Sequence, residues 1–352
     1  MVNLFELHDK TKFETYAFSF GPDDGSKIRE RVVKTFDKFF DVKLKTTEEI
    51  VKDSRELNLD IAIDLKGFTN NNRFDLFIER CAPIQISYLG FPGTTGSDCM
   101  DYLIADKIVI PEESKIHYSE NIIYLPNSYQ VNDSNPTLSK KSFSKKDFNL
   151  PENKFIFCCF NHSFKILPDM FEIWIKILKK VKNSIIWLLI DNEITQNNLK
   201  KILVSNDIDP NRIIFADRLP HSEHIVRLGL ADLFLDTFPC NAHTTASDAL
   251  RSSLPIITIK GDSFASRVAS SLLVSVGLEE LITKSQKEYE ELAIKIAVDK
   301  NFYKEIRDKL KKNVTDSPLF NSKLFTKKIE EAYQMVCKNY TDNKKSEIIE
   351  IK

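Results

Sequence analysis

The stretch Leu235–Leu250, LDTFPCNAHTTASDAL, constrains the fold most, because it predicts a strand, a short loop and the start of a helix in succession. The apolar run Leu233–Leu235 enters the loop, and His243–Thr245 opens the helix. A helix start carries unpaired N–H groups and partial positive charge, so this junction suits a nucleotide diphosphate. Asp248 follows about one turn later. The alternative is that the threonines only cap an ordinary helix, and the segment alone leaves both interpretations open.

Length and composition are those of a globular protein with room for two domains. The chain has 352 residues, of which 42% are hydrophobic and 29% charged. A net charge of −1 implies no bulk attraction to nucleic acid or to an anionic membrane surface. No apolar run approaches the ~20 residues that span a bilayer, and the amino terminus lacks the pattern of a secretory signal. The six cysteines show no regular spacing, which predicts reduced thiols and a cytoplasmic protein.

Strand and helix patterns alternate in both halves of the chain, which is typical of parallel, doubly wound α/β sheets. A polar stretch between the halves predicts a linker. The predicted divisions are an amino-terminal domain at 1–135, the linker at 136–154, a carboxy-terminal nucleotide-binding domain at 155–315, a closing helix at 316–340 and a charged tail at 341–352. We expect the tail to fray. Parallel sheets bind ligands at the carboxyl ends of their strands, and Lys165, His224 and His243 each come just after a predicted strand.

The first domain has a predicted helix and a glycine-rich loop. An amphipathic pattern predicts one helix over Ser26–Phe40, after a strand at Phe13–Phe20. A glycine-rich loop, Gly90–Gly96, follows the predicted strand Ile84–Leu89. Glycines permit positive φ and close approach of a ligand, although the same loop is compatible with a plain turn.

Four motifs, in matching order and spacing, resemble the protein O-linked N-acetylglucosamine transferase family, the group of O-GlcNAc transferase and Spindly-type proteins. They are APIQISYLGFPGTTG at 82–96, FCCFNHSFKI at 157–166, CNAHTT at 240–245 and FASRVA at 264–269. The resemblance runs from about Phe5 to about Ala332. It implies two Rossmann-like domains facing a cleft, the glycosyltransferase B type, with the first domain lacking its initial strand.

The resemblance also implies a reaction and a set of site residues. The expected reaction moves N-acetylglucosamine from UDP-N-acetylglucosamine to Ser or Thr hydroxyls of a protein or peptide, with no metal, nucleic acid or membrane partner. Lys165 is the expected catalytic residue, lying against the leaving diphosphate. The other expected donor-binding residues are His162, Leu219, Pro220, His221, His224, Arg227, Cys240, His243, Thr244, Thr245 and Asp248. The loop expected to cover the sugar consists of Leu89, Gly90, Phe91 and Pro92.

The sequence departs from the family pattern at three places. His162 stands where relatives commonly have Gln, and His221 where they often have Lys, so contacts to the base and ribose are expected to differ. The family's amino-terminal strand and His-Pro loop have no counterpart here, and His8 lies in an unrelated context. From this departure we expect a chain truncated at its amino terminus, with little transferase activity as it stands.

Three alternatives remain open at this point. Spindly-type relatives use GDP-fucose, so the donor could differ. The chain could also be a nucleotide-sugar-binding module without catalysis. The pairs His221-x-x-His224 and Cys240-x-x-His243 have the spacing of four zinc ligands.

The D-x-D tripeptide Asp207–Asp209 is interpreted as a turn, because it precedes a strand and so lies at the end of the sheet away from ligands.

Overall fold

The computed structural model describes every residue from Met1 to Lys352 and divides the chain into two compact α/β units. The strands are β1 (Tyr16–Ser19), β2 (Lys38–Asp41), β3 (Ile61–Asp64), β4 (Ile84–Ser87), β5 (Tyr102–Ala105), β6 (Asn121–Tyr124), β7 (Phe155–Cys159), β8 (Ser184–Leu189), β9 (Ile213–Ala216), β10 (Leu233–Leu235), β11 (Ile256–Ile259), β12 (Ile282–Thr283) and β13 (Ile349–Glu350). The helices are α1 (Val2–Glu6), α2 (Lys27–Thr35), α3 (Thr47–Glu56), α4 (Asp75–Ile78), α5 (Pro168–Lys180), α6 (Glu193–Ser205), α7 (His221–Leu228), α8 (Thr244–Arg251), α9 (Val268–Ser275), α10 (Gln286–Val298), α11 (Lys300–Asp316) and α12 (Ser322–Thr341). None of these helices has both the length and the apolar composition that crossing a membrane requires.

The first unit contains Met1–Asn135 together with Pro318–Lys352. Its main sheet has five parallel strands in the order β13-β6-β5-β4-β3, and β1 and β2 form a separate parallel pair. Strands β4 and β5 are buried along their whole length, as expected for a parallel sheet covered on both faces. A capping box at Thr46 and Glu49 begins α3, as the sequence predicts.

The second unit, Pro136–Ser317, carries a six-stranded parallel sheet in the order β12-β11-β10-β7-β8-β9. Its central strands, β7 and β10, are apolar and almost completely buried. The chain runs outward from β7 through β8 to β9, and outward in the opposite direction from β10 through β11 to β12. The gap between β7 and β10 is therefore a topological switch point, where open α/β sheets bind ligands beyond the carboxyl ends of the strands.

The prediction of one helix over Ser26–Phe40 is wrong for its last five residues. Helix α2 ends at Thr35, and Phe36 is extended with φ −82° and ψ 149°. The next residues form β2, which pairs in parallel with β1 from Tyr16 opposite Lys38 onward. Tertiary pairing of the Phe-rich segment therefore prevails over its helical periodicity.

The prediction that the charged tail frays is wrong for its end, which forms strand β13. Strand β13 pairs in parallel with β6, and Ile349 and Ile351 are 2% and 5% exposed. Lys107 Nζ lies 2.5 Å from Glu350 Oε1. The two isoleucines, placed on alternate positions of the tail, give it an apolar face that the sheet buries.

The chain divides after Asn135, where the predicted first domain ends, and after Ser317, two residues beyond the predicted end of the second domain at 315. Residues 136–154, predicted as a linker, belong to the second unit, where the Phe148 ring packs 5.4 Å from Trp187. Helix α12 begins six residues after the predicted start of the closing helix and ends one residue after its predicted end, and with the tail it belongs to the first unit. The chain therefore leaves the first unit after Asn135 and returns to it at Pro318.

Candidate functional site

The candidate site lies in the second unit, at the carboxyl ends of β7 and β10. The two strands pair in register, with Leu233 opposite Phe157 and Phe234 opposite Cys158. Because both strands are parallel, the segments that leave them start side by side. These segments contain the predicted lysine after β7 and the predicted diphosphate loop after β10.

Lys165 contacts the diphosphate loop directly. It ends a short 3-10 turn, Ser163–Lys165, that follows β7. Its Nζ donates a hydrogen bond to the main-chain carbonyl oxygen of Asn241 at 2.8 Å. The structure thus brings together two segments that are 76 residues apart in the chain, as the sequence-based site requires.

The start of α8 faces this lysine. His243 is the N-cap residue, and the helix begins at Thr244, which is exposed. Burial, and secondarily the positive charge of Lys165, lower the pKa of the His243 imidazole to about 4. Its Nε2 is buried without a hydrogen-bond partner. An anionic ligand next to this nitrogen would supply a partner and favour the protonated ring.

Asp248, also predicted for the site, pairs with His221. The His221 Nε2 and Asp248 Oδ2 atoms are 3.0 Å apart, which joins the first turn of α7 to α8. The hydrogen bond to Asp248 raises the pKa of His221, and partial burial opposes the increase. Asp248 is 7% exposed, whereas His221 is exposed and available to a ligand.

Arg227 is buried, although it carries a charge and is a residue expected beside the nucleotide. It is 1% exposed, and its guanidinium lies 5.1 Å from the centre of the Phe160 ring. Its Nε donates to His224 Nδ1 at 3.1 Å, and its Nη1 donates to the Asp217 carbonyl oxygen at 2.5 Å. Burial lowers the pKa of Arg227 to about 10 and, together with the arginine's charge, that of His224 to about 4. Arg227 therefore holds a neutral His224 in place.

The remaining predicted donor-binding residues lie in the segments that follow β7, β9 and β10. His162 is exposed, and its ring stacks on Phe164 with 5.3 Å between ring centres. Leu219 is half-buried and Pro220 exposed, and Pro220 is the N-cap of α7. Cys240 is half-buried in the loop between β10 and α8.

Sequence reasoning missed Asn161 and Asp236, two buried polar residues beneath this site. Asn161 is 2% exposed and Asp236 is 1% exposed. Asn161 Oδ1 accepts from the Thr245 hydroxyl at 2.6 Å, and its Nδ2 donates to Thr237 Oγ1 at 2.8 Å. A signal was present, because each is among the first polar residues after an apolar central strand, where parallel sheets place functional groups.

The proposed zinc ligands do not converge. No group of three or more His, Cys, Asp or Glu side chains in the structure is arranged to hold a metal ion.

The D-x-D tripeptide lies in a turn before a strand, as the sequence predicts. Asp207 has φ +58°, and Asp209 caps the 3-10 turn Pro210–Arg212 that leads into the amino end of β9.

The predicted sugar-side loop, Leu89–Pro92, belongs to the first unit and follows β4. Leu89 has φ +65°, and a Cβ on Gly90 would overlap the carbonyl group of Leu65, so the close approach requires glycine. Further along, buried Glu120 accepts 2.6 Å hydrogen bonds from the hydroxyls of Thr94 and Thr95. The glycine-rich loop is therefore an ordered part of the unit.

The chain is similar in sequence to known proteins of one family. The model of the family described as Glycosyl transferase family 41 matches residues 1–143 and 140–329. The chain is 36% identical over 339 residues to the probable UDP-N-acetylglucosamine–peptide N-acetylglucosaminyltransferase SEC of Arabidopsis thaliana, covering 95% of this chain and 35% of that protein. It is 30% identical to the corresponding SPINDLY protein of Oryza sativa subsp. japonica, covering 95% and 37%. The chain thus spans little more than a third of these relatives' length.

Among solved structures, a lysine-to-methionine variant of the O-GlcNAc transferase from Thermobaculum terrenum is similar over almost the whole chain. The TM-score is 0.89 at 27% identity, and the match covers 96% of this chain and 64% of that one. The glycosyltransferase B fold class expected from the sequence is confirmed by this similarity.

Proposed function

This chain belongs to glycosyl transferase family 41, and from that membership we propose that it transfers N-acetylglucosamine from UDP-N-acetylglucosamine to Ser or Thr hydroxyl groups of proteins. The family is the one that the four sequence motifs indicated. The SEC and SPINDLY relatives bear names that describe this transfer to peptides. The observation that carries the proposal is the hydrogen bond from Lys165 to Asn241, because it places a cation at the start of α8.

The chemistry follows from the charge that develops during transfer. When the bond between the sugar and the diphosphate breaks, negative charge grows on the departing diphosphate. Lys165 and the N–H groups at the start of α8 stabilise that charge, and His243 is the N-cap residue of that helix. His224 and His221, presented by α7, border the nucleoside part of the donor.

We propose that the reaction needs no metal ion. The lysine and the helix start already supply positive charge where a metal would otherwise act. The D-x-D tripeptide, the type of motif used elsewhere to hold such a metal, precedes the amino end of β9, far from the carboxyl ends of the strands in the sheet topology.

The acceptor side and the compartment are also part of the proposal. The ordered Leu89–Pro92 loop is the segment that would cover the sugar, and the acceptor would be a protein or peptide.

We assign the protein to the cytoplasm because all six cysteines are free, including the neighbouring Cys158 and Cys159.

A transfer assay tests the function. The purified chain is incubated with radiolabelled UDP-N-acetylglucosamine and a mixture of acceptor peptides, and label on peptide is counted. The proposal predicts measurable incorporation that is lost in Lys165→Ala, and its level also tests the sequence-based expectation that this chain has little transferase activity. Binding of the donor without any incorporation would favour the alternative of a binding module without catalysis.

The donor is tested separately, because GDP-fucose is the competing substrate. Thermal unfolding is followed with UDP-N-acetylglucosamine, with GDP-fucose and without ligand. A ligand that binds only the folded state raises the midpoint, by an amount that grows with the ratio of its concentration to its Kd. We expect the larger shift with UDP-N-acetylglucosamine, and a larger shift with GDP-fucose would replace it as the donor.

A further inference from the structure

Four hydrogen-bond donors converge on the buried carboxyl group of Asp236. Its Oδ1 accepts from the main-chain N–H of Ala242 at 2.6 Å and from that of Thr237 at 2.8 Å. The side-chain amide of Asn161 is 3.3 Å from the same oxygen. Its Oδ2 accepts from the hydroxyl of Thr258 in β11 at 2.7 Å. Oδ1 therefore accepts three hydrogen bonds and Oδ2 accepts one.

Two of these donors are the two ends of the diphosphate loop. Thr237 is the first residue after Asp236, and Ala242 directly precedes the N-cap His243. By holding both N–H groups on one oxygen, Asp236 closes the loop into a ring of fixed shape. The Tyr289 hydroxyl fixes the main chain of Asp236 itself, donating to its carbonyl oxygen at 2.9 Å.

The same carboxyl also connects the loop to the segment after β7. Asn161 lies between Asp236 and Thr245, whose hydroxyl donates to Asn161 Oδ1. Lys165, four residues after Asn161, reaches the loop at the carbonyl of Asn241. The lysine and the start of α8 are thus aligned through one buried network centred on Asp236.

Lys165 is the one charged side chain among the causes of the pKa shift of Asp236. Burial raises its pKa to about 7, while the hydrogen bonds from Thr258, Ala242 and Thr237 and the charge of Lys165 lower it. The other titratable groups that face it are Cys159 and Tyr289, both buried and both with pKa values raised by burial. The causes of the pKa shift of Asp236 include no second carboxylate.

We propose that Asp236 is a positioning residue of the donor site, whose Oδ1 holds the loop Thr237–His243 in the shape that binds the donor diphosphate. It acts through the loop and through Asn161, not by touching the donor. The proposal rests on the proposed function, since it concerns the same nucleotide site.

The test is calorimetric titration of UDP into the full chain and three variants. Asp236→Ala removes the oxygen that holds both N–H groups, and we expect UDP affinity to fall about tenfold or more. Asp236→Asn keeps an oxygen acceptor of the same size, and it should remain within about threefold of the unmodified chain. A loss in Asp236→Asn as large as that in Asp236→Ala would overturn the proposal.

Thr258→Val is the matched control. It removes a hydrogen bond to the same carboxyl from the same buried core, yet Thr258 lies in β11 and does not touch the loop. We expect its midpoint of thermal unfolding to fall while its UDP affinity stays within about twofold. Equal losses of affinity in Asp236→Ala and Thr258→Val would show that any core defect weakens binding, and would overturn the positioning role.

Hydrogen exchange of the unmodified chain gives a measurement that needs no variant. The amides of Thr237 and Ala242 should be protected from exchange before any ligand is added, because Asp236 already holds them. Rapid exchange of both in the free protein would contradict the proposal. If the unmodified chain does not bind UDP at all, the proposed function fails, whereas binding that is insensitive to Asp236→Ala refutes only the role of Asp236.

Discussion

Lys165 Nζ donates a 2.8 Å hydrogen bond to the carbonyl oxygen of Asn241, and this contact joins the two segments that leave the central strands β7 and β10. The contact lies at the switch point of the sheet, where the chain changes its direction of winding. The fold and the local geometry therefore support the proposed place of the donor.

Protein stability should depend on pH through Asp236. Its pKa in the folded state is about 7, above the ordinary value of 3.8, so the folded state binds this proton more tightly than the unfolded state. The resulting stabilisation is complete below the unfolded pKa and is lost as pH rises to about 7. Relative to Asp236→Asn, the free energy of unfolding of the unmodified chain should fall by up to about 4 kcal/mol between pH 4 and 8. Urea unfolding at both pH values measures it, and parallel pH profiles would contradict it.

The pair between His221 and Asp248 should be visible in a titration. The hydrogen bond to Asp248 raises the pKa of His221, so the pair's stabilisation is present below the ordinary value of 6.5 and is lost as pH rises through the higher folded value. Asp248→Asn should lower the pKa of His221, as followed by its imidazole NMR signals. Asp207→Asn, in the turn before β9, serves as the control and should leave those signals unchanged. An unaltered His221 titration in Asp248→Asn would show that the pair does not form in solution.

Nucleotide binding should be independent of metal. In the proposed site, Lys165 and the start of α8 supply the positive charge for the diphosphate, so removal of divalent ions should leave nucleotide affinity unchanged. UDP affinity measured with and without a chelator should agree within experimental error. Stoichiometric zinc in the purified protein, or a loss of UDP affinity on chelation, would contradict this prediction.

The sequence was sufficient for the parallel fold and for the ends of the central strands. Apolar runs such as Phe155–Cys159 predict buried parallel strands, and the polar residues that follow them predict a site at the sheet's carboxyl edge. The same rule predicts that segments 76 residues apart meet, as Lys165 and Asn241 do. The position of the site can therefore be predicted from the local sequence pattern combined with the sheet topology.

Other features depend on long-range contacts that periodicity does not encode. The segment Lys38–Asp41 is a strand because β1 lies beside it, and Ile349 is buried because β6 offers an edge. The role of Asp236 depends on Ala242 and on Asn161, which lie 6 and 75 residues away from it in the chain. The burial of Arg227 depends likewise on the rings of Phe160 and its neighbours. Such contacts emerge only when the chain is folded.

The most direct test of the account is UDP binding to Lys165→Ala, measured by calorimetry beside the unmodified chain. A charge-assisted hydrogen bond to the diphosphate contributes roughly 1.5–3 kcal/mol, so affinity should fall about tenfold or more. Lys201→Ala, which removes an exposed lysine on α6, is the matched control and should bind as the unmodified chain does. The account predicts a loss confined to Lys165→Ala, and equal affinities in all three proteins would remove Lys165 from the site and contradict the central claim.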